Sequence, residues 1–203
     1  MKGLDRFRPY GLRDSLERYF NLENLARAAL GLGGEFAECG AFYGGSTYVL
    51  LRALSEAPLR LHVFESFRGL PPPGPKDDRR WKEGDFRSSD KVFLELTRDY
   101  AGNLCLHTGD VQTSLPHLAD RRFGFAHVDL DLYESTKYAM TFFLPRLVAG
   151  GVIVCDDYGF PTESGAKAAV DQTCAAAGAR VIPLSSGQAV VVGCPPSSGR
   201  GAA

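Results

Sequence analysis

Two runs decide the fold: His127-Val128-Asp129-Leu130-Asp131-Leu132-Tyr133 and Val152-Ile153-Val154-Cys155-Asp156-Asp157-Tyr158. Each is a short apolar stretch that stops at carboxylates. A third run, Phe36-Ala37-Glu38-Cys39-Gly40, ends in an acid and a glycine-rich turn. Runs of this kind mark parallel strands buried on both faces. Acids at their ends gather at one edge of the sheet, where α/β proteins bind their ligands. Carboxylates brought together repel one another unless a cation lies between them, so the pattern asks for a metal.

Working outward, strands are expected at 35–39, 60–65, 103–107, 124–130 and 150–155. Helices are expected between and after them, at 45–56, 89–101, 112–119, 134–148 and 163–177. Residues 14–31 read as an amphipathic helix capped by Asp14 or Ser15, with Leu16, Tyr19, Phe20, Leu22, Leu25, Ala28 and Ala29 as its apolar stripe. Segments 179–184 and 188–194 read as a closing hairpin. The alternation predicts an α/β, Rossmann-like doubly wound and mostly parallel sheet with a C-terminal antiparallel hairpin. One domain is expected over 1–194, with 1–33 as a helical lid segment, 66–88 as a lid loop and 195–203 as a disordered tail. The 66–88 loop holds Pro71-Pro72-Pro73-Gly74-Pro75 and the only tryptophan, Trp81, and is too long for a plain connection.

Composition sets outer bounds. A chain of 203 residues, 44% apolar and 23% charged, fits one globular domain. With 23 Lys plus Arg against 24 Asp plus Glu there is no basic footprint for nucleic acid. No apolar run approaches membrane-spanning length, and Met1 to Pro9 lacks the apolar core of a signal peptide. Cys39, Cys105, Cys155, Cys174 and Cys194 are odd in number and form no Cys-x-x-Cys pair. They read as buried, reduced thiols of a cytoplasmic protein.

The turn after the first strand, Glu38-Cys39-Gly40-Ala41-Phe42-Tyr43-Gly44-Gly45-Ser46-Thr47, matches neither the dinucleotide fingerprint nor a lysine-bearing phosphate loop. It matches the loop that holds S-adenosylmethionine in Rossmann-like methyltransferases, with a plain tight turn as the simpler alternative. Glu65, closing Val63-Phe64-Glu65-Ser66-Phe67, falls where nucleotide folds place the carboxylate for ribose hydroxyls; the alternative is a solvated loop acid. Asp110 suits adenine contacts or a helix N-cap. Asp129, Asp156 and Asp157 lie on adjacent expected strands and can share one Mg²⁺ or similar cation. Asp131 is a fourth participant or a structural partner. Turn capping and an edge acid pair are the plainer readings, and Asp-x-Asp also occurs as the metal motif of glycosyltransferases. His62, His107, His117 and His127 lack ligand spacing and read as structural. Tyr133 and Tyr158 read as pocket or core.

Taken together, these residues resemble the macrocin O-methyltransferase family. The resemblance is carried by Phe36-Ala37-Glu38-Cys39-Gly40 with Gly44-Gly45-Ser46, Phe64-Glu65-Ser66-Phe67-Arg68-Gly69-Leu70-Pro71, Asp129-Leu130-Asp131-Leu132-Tyr133-Glu134-Ser135-Thr136, and Leu144-Pro145-Arg146-Leu147 with Gly150-Gly151 and Asp156-Asp157-Tyr158. It runs from about Asp14 to Gln172 and implies methylation of a sugar hydroxyl in bacterial natural products. It further implies a metal on Asp129, Asp156 and Asp157, and cofactor contacts from Glu38, Gly40, Ser46, Glu65, Ser66 and Asp110. The general base would be Asp129 or a neighbour such as Asp131. A small-molecule acceptor and self-association are implied partners, with an inactive cofactor-binding protein as the non-enzyme alternative. Three departures stand out. The lysine that serves catechol-type relatives as base is replaced by Leu132. The chain is short at both ends beside the antibiotic enzymes. Leu184-Ser185-Ser186-Gly187-Gln188-Ala189-Val190 replaces a polar, aromatic C-terminal segment.

Overall fold

Seven short strands pair in the order β3-β2-β1-β4-β5-β7-β6 in a computed structural model that describes residues 3–10, 16–161 and 164–193. The strands are β1 (Glu35–Cys39), β2 (Leu61–Glu65), β3 (Leu104–Thr108), β4 (Phe123–Val128), β5 (Leu147–Cys155), β6 (Val181–Pro183) and β7 (Ala189–Val192). The first five are mutually parallel, whereas β7 runs antiparallel between β5 and β6. The Rossmann-like sheet with its antiparallel C-terminal pair is therefore as the patterning predicts. Its strand order reverses between β1 and β4, which opens a crevice at their C-terminal ends.

The helices are α1 (Leu16–Ala29), α2 (Gly45–Leu54), α3 (Asp90–Thr97), α4 (Val111–Ser114), α5 (Tyr133–Phe143) and α6 (Ser164–Ala177). Successive strand residues point to opposite faces and so feed two cores. Phe36, Phe125, Val152 and Val154 pack with residues of α1 and α2. Ala37, Cys39, Ala126, Ile153 and Cys155 pack with residues of α5 and α6. Cys39, Cys105, Cys155 and Cys174 are all free thiols, and Cys194 lies outside the described residues. Burial pushes the Cys39 and Cys155 thiols up, which keeps them protonated.

Several boundaries move, each for a local reason. The helix expected at 134–148 ends at Phe143, because Pro145 sits in a 3-10 turn, Leu144–Arg146, and β5 already begins at Leu147. The helix expected at 112–119 is the single turn α4 followed by a second 3-10 turn that starts with Leu115-Pro116. The stripe expected on α1 is narrower than the pattern suggests. Tyr19, Leu22 and Ala29 of that stripe face inward, joined by Ala26, whereas Leu16 and Phe20 are 63% and 62% exposed. The proposed caps Asp14 and Ser15, and the tail 195–203, lie outside the described residues.

Candidate active site

A cleft of about 880 Å³ opens at the C-terminal ends of β1, β2, β4 and β5. Of the residues singled out from sequence, Gly40, Ser46, Glu65, Ser66, Asp110, Asp129, Asp131 and Asp157 line it. Glu38 and Asp156 do not.

On the β1–β3 side each acid is held by uncharged donors or sits beside a histidine. Glu65 Oε2 accepts from the backbone N–H groups of Ala41 and Phe42, both at 2.8 Å, and its Oε1 accepts from Phe67 at 2.7 Å. This bolts the glycine turn to the end of β2 and leaves roughly one of the four carboxylate acceptor positions open. Asp110 caps α4, accepting from the Gln112 N–H at 3.0 Å, so the capping role and the place on the cleft wall coexist. Glu38 is fully buried. Its Oε2 accepts from Thr47 Oγ1 at 2.5 Å, and its Oε1 lies 3.1 Å from His127 Nδ1.

Gly40 is required by the fold at the point where it lines the cleft. With φ +83° its Cβ would lie 1.7 Å from the Asp129 carbonyl oxygen. Gly44 at φ +90° starts α2 with no side-chain cap, so the first N–H groups of that helix lack a side-chain acceptor beside Gly45 and Ser46 on the cleft wall. Unpaired N–H groups at a helix start suit a carboxylate. With Glu65 and Ser66 nearby and room of a size that ligand sites use, the residues fit an amino-acid nucleoside cofactor such as S-adenosylmethionine.

The β4–β5 side is built differently. One carboxylate oxygen from each of Asp129, Asp131 and Asp157 lies within 4.8 Å of the others. Asp131 sits in left-handed conformation, φ +57°, across a tight turn in which the Leu132 N–H donates to Leu130 O at 2.5 Å. Its own N–H donates to Asp157 Oδ2 at 3.0 Å. Burial raises the Asp157 pKa. Opposing it are the Arg18 charge, the Asp131 N–H and a hydrogen bond with Asp129. An all-oxygen set with an excess of negative charge fits a hard divalent cation.

Asp156 is turned the other way. Val152 and Val154 face α1 and α2, and strand alternation carries Asp156 to that same face while Asp157 departs from it. Its Oδ1 accepts from Gln188 Nε2 at 2.7 Å and lies 3.3 Å from His127 Nε2, while its Oδ2 is ion-paired with Arg18. Asp129 remains the link, because Asp129, Asp156 and His127 also place one ligand atom each within 4.8 Å.

Three site residues escape the sequence reading: Arg18, Gln188 and the bridging role of His127. Arg18 lies one turn before the buried Leu22, so the helical spacing on α1 was the signal for it. Gln188, directly before β7, and His127, inside the apolar run of β4, carry no signal of their own. Tyr133 and Tyr158 are buried and away from the cleft wall.

The 66–88 segment contributes Arg68, Leu70, Pro71, Arg80, Trp81 and Phe86 to the cleft. Rings run along it from Trp81 to Phe86 (5.5 Å), Phe42 (5.8 Å), Tyr43 (4.5 Å) and Tyr10 (5.0 Å). Asp77 pins this segment to α5, with Oδ1 accepting from the Tyr133 N–H and Oδ2 from the Gly74 N–H, both at 2.7 Å.

A Rossmann-like sheet with an uncapped glycine turn, a β2 acid and a β4–β5 acid cluster around one cleft defines a methyltransferase-type cofactor domain. The chain belongs to the family described as a methyltransferase domain, matched over residues 37–158. It is 31% identical over 158 residues to an 8-demethyl-8-(2,3-dimethoxy-alpha-L-rhamnosyl)-tetracenomycin-C 4'-O-methyltransferase of Streptomyces olivaceus. That alignment covers 70% of this chain and 60% of the relative, so the chain spans about 60% of that protein's length. Among solved structures, the O-methyltransferase NovP superposes with a TM-score of 0.75 at 23% identity, covering 89% of this chain and 81% of NovP. The calicheamicin methyltransferase CalS11 gives 0.76 at 20% identity, with 93% and 83% covered. At these identities the two structures establish the shared fold, and the resemblance read from the motifs is borne out. Among the described residues no helix is long and apolar enough to cross a membrane.

Proposed function

We propose that the protein is an S-adenosylmethionine-dependent O-methyltransferase that uses a divalent cation to methylate a hydroxyl of a vicinal diol, on a sugar of a natural product. The observation that carries the reading is the joint placement, on one cleft, of the glycine turn with Glu65 and the Asp129, Asp131, Asp157 cluster. The sugar O-methyltransferase of the tetracenomycin pathway supports the acceptor class. A glycosyltransferase reading finds no use for the glycine turn.

When bound, S-adenosylmethionine supplies an electrophilic methyl group, and the cation acidifies and orients the acceptor hydroxyl. The chain's residues do the rest. Gly45, Ser46, Glu65, Ser66 and Asp110 position the cofactor, with Glu38 and Gly40 shaping the turn beneath it. Asp129 and Asp157 hold the cation, with Asp156 beside Asp129 as a third ligand once Arg18 is displaced from it. Asp131, the remaining acid of that cluster, takes the proton, since a carboxylate that ligates a cation loses basicity and the position of the catechol-type lysine is Leu132. The 66–88 segment acts as a lid whose rings exclude water, and α1 closes the opposite wall. The acceptor is a small molecule and the protein self-associates.

The test is methyl transfer from S-adenosylmethionine and Mg²⁺ to a panel of deoxysugar glycosides, nucleotide-linked sugars and catechols. Product is expected with a sugar diol and is lost on chelation. Transfer only to catechols would overturn the acceptor class, and binding of nucleotide sugars without S-adenosylmethionine would overturn the reaction.

A further inference from the structure

Asp156 is the acid of the cluster that already has a cation. The Arg18 side chain is 14% exposed and that of Asp156 5%, so the pair is largely shielded from water. Arg18 Nη2 also donates to the Asp156 backbone carbonyl at 3.1 Å and stands 3.8 Å from Asp157 Oδ1. One guanidinium therefore serves both members of the Asp156-Asp157 pair. The helix that carries it is fixed at the same corner. Asn21 Nδ2 donates to Ser186 Oγ at 3.1 Å and to Gln188 Oε1 at 3.0 Å, and Ser185 Oγ donates to Glu17 at 2.7 Å. Gln188 in turn holds the other oxygen of Asp156.

A positive charge this close repels a second cation, and its Nη2 fills the Asp156 oxygen that a metal would need. We propose that Arg18 is a built-in counter-ion of Asp156 that competes with the divalent cation, so that cation entry releases the first turn of α1. This rests on the cation reading above. It makes α1, the wall beside Phe160 and Tyr19, responsive to metal occupancy: held in by Arg18 without the ion, loosened with it.

The test is titration of the full chain with Mn²⁺, reading free ion by electron paramagnetic resonance, for wild type, Arg18→Gln and Asp157→Asn. Removing the competing charge is expected to tighten Mn²⁺ binding about tenfold in Arg18→Gln. Asp157→Asn is expected to lose binding. A merely structural arginine would weaken the site when removed, so unchanged or weaker binding in Arg18→Gln overturns the competition and leaves the cation reading intact. Absence of Asp157-dependent binding in both wild type and Arg18→Gln overturns the cation reading itself. Hydrogen exchange on the wild type needs no variant. Amides of residues 16–20 are expected to exchange faster at saturating Mn²⁺, and unchanged exchange overturns the release.

Discussion

The two halves of this cleft end in the same residue type and solve its electrostatics in opposite ways. On the β1–β3 half, Glu65 and Asp110 accept from backbone N–H groups, and Glu38 from Thr47 beside His127. Those carboxylates find hydrogen-bond partners within the fold, with one Glu65 position left open. On the β4–β5 half, Asp129, Asp131 and Asp157 face one another, and Arg18 is paired with Asp156 and stands 3.8 Å from Asp157. A site finished by its own backbone binds what it is shaped for. A site left with surplus charge is finished by something that arrives. On the proposed reading, the first half is a preformed pocket and the second is completed by a cation.

If this contrast is right, variants should separate along it. Asp157→Ala is expected to cut Mg²⁺-stimulated turnover by about 10²–10³-fold while leaving S-adenosylmethionine affinity within a few fold. Steady-state kinetics beside calorimetry reads both, and full activity would remove Asp157 from the cation shell. Gly40→Ala places a methyl against the Asp129 carbonyl, where the two halves meet. It is expected to cost about 3 kcal/mol, or roughly 10 °C in melting temperature. Glu65→Ala unbolts the glycine turn and should weaken S-adenosylmethionine binding by about 10- to 100-fold with little change in cation affinity. Equal loss of both ligands would erase the division.

The smallest effect belongs to a pair that lies outside either half's chemistry. His62 Nδ1 lies 3.0 Å from His107 Nε2 on the β2–β3 edge. Burial lowers both pKa values, with Glu35 partly opposing this at His62, while the charge of His62 adds to the lowering at His107. A histidine depressed in the folded state favours folding above its unfolded value of about 6.5, and that contribution is lost as pH falls through the folded value. Thermal melts should drop a few degrees between about pH 7.5 and 5.5, and His62→Gln with His107→Gln should flatten the dependence.

Much of this was legible because its signals are local. Apolar runs that stop at acids give the strands, their parallel direction follows from the alternation with helices, and the glycine turn with Glu65 marks the cofactor half. What stayed hidden is which partner each acid takes. Arg18 reaches Asp156 across 138 positions and Gln188 across 32, and no window of sequence holds either pair. One partner assignment does have a local signal. In Val152-Ile153-Val154-Cys155-Asp156-Asp157 the period of two sends adjacent aspartates to opposite faces, so a shared role for both needed a partner to reconcile them. On α1 the apolar Leu16 and Phe20 are exposed while the charged Arg18 between them is largely buried, the reverse of what residue type alone suggests.

The most direct test of the two-half account is calorimetric titration of S-adenosylmethionine into wild type with and without chelator, beside Asp157→Ala. The account predicts affinities that agree within a few fold in all three, since the cofactor half is complete without the cation. Loss of S-adenosylmethionine binding on chelation or in Asp157→Ala would contradict it.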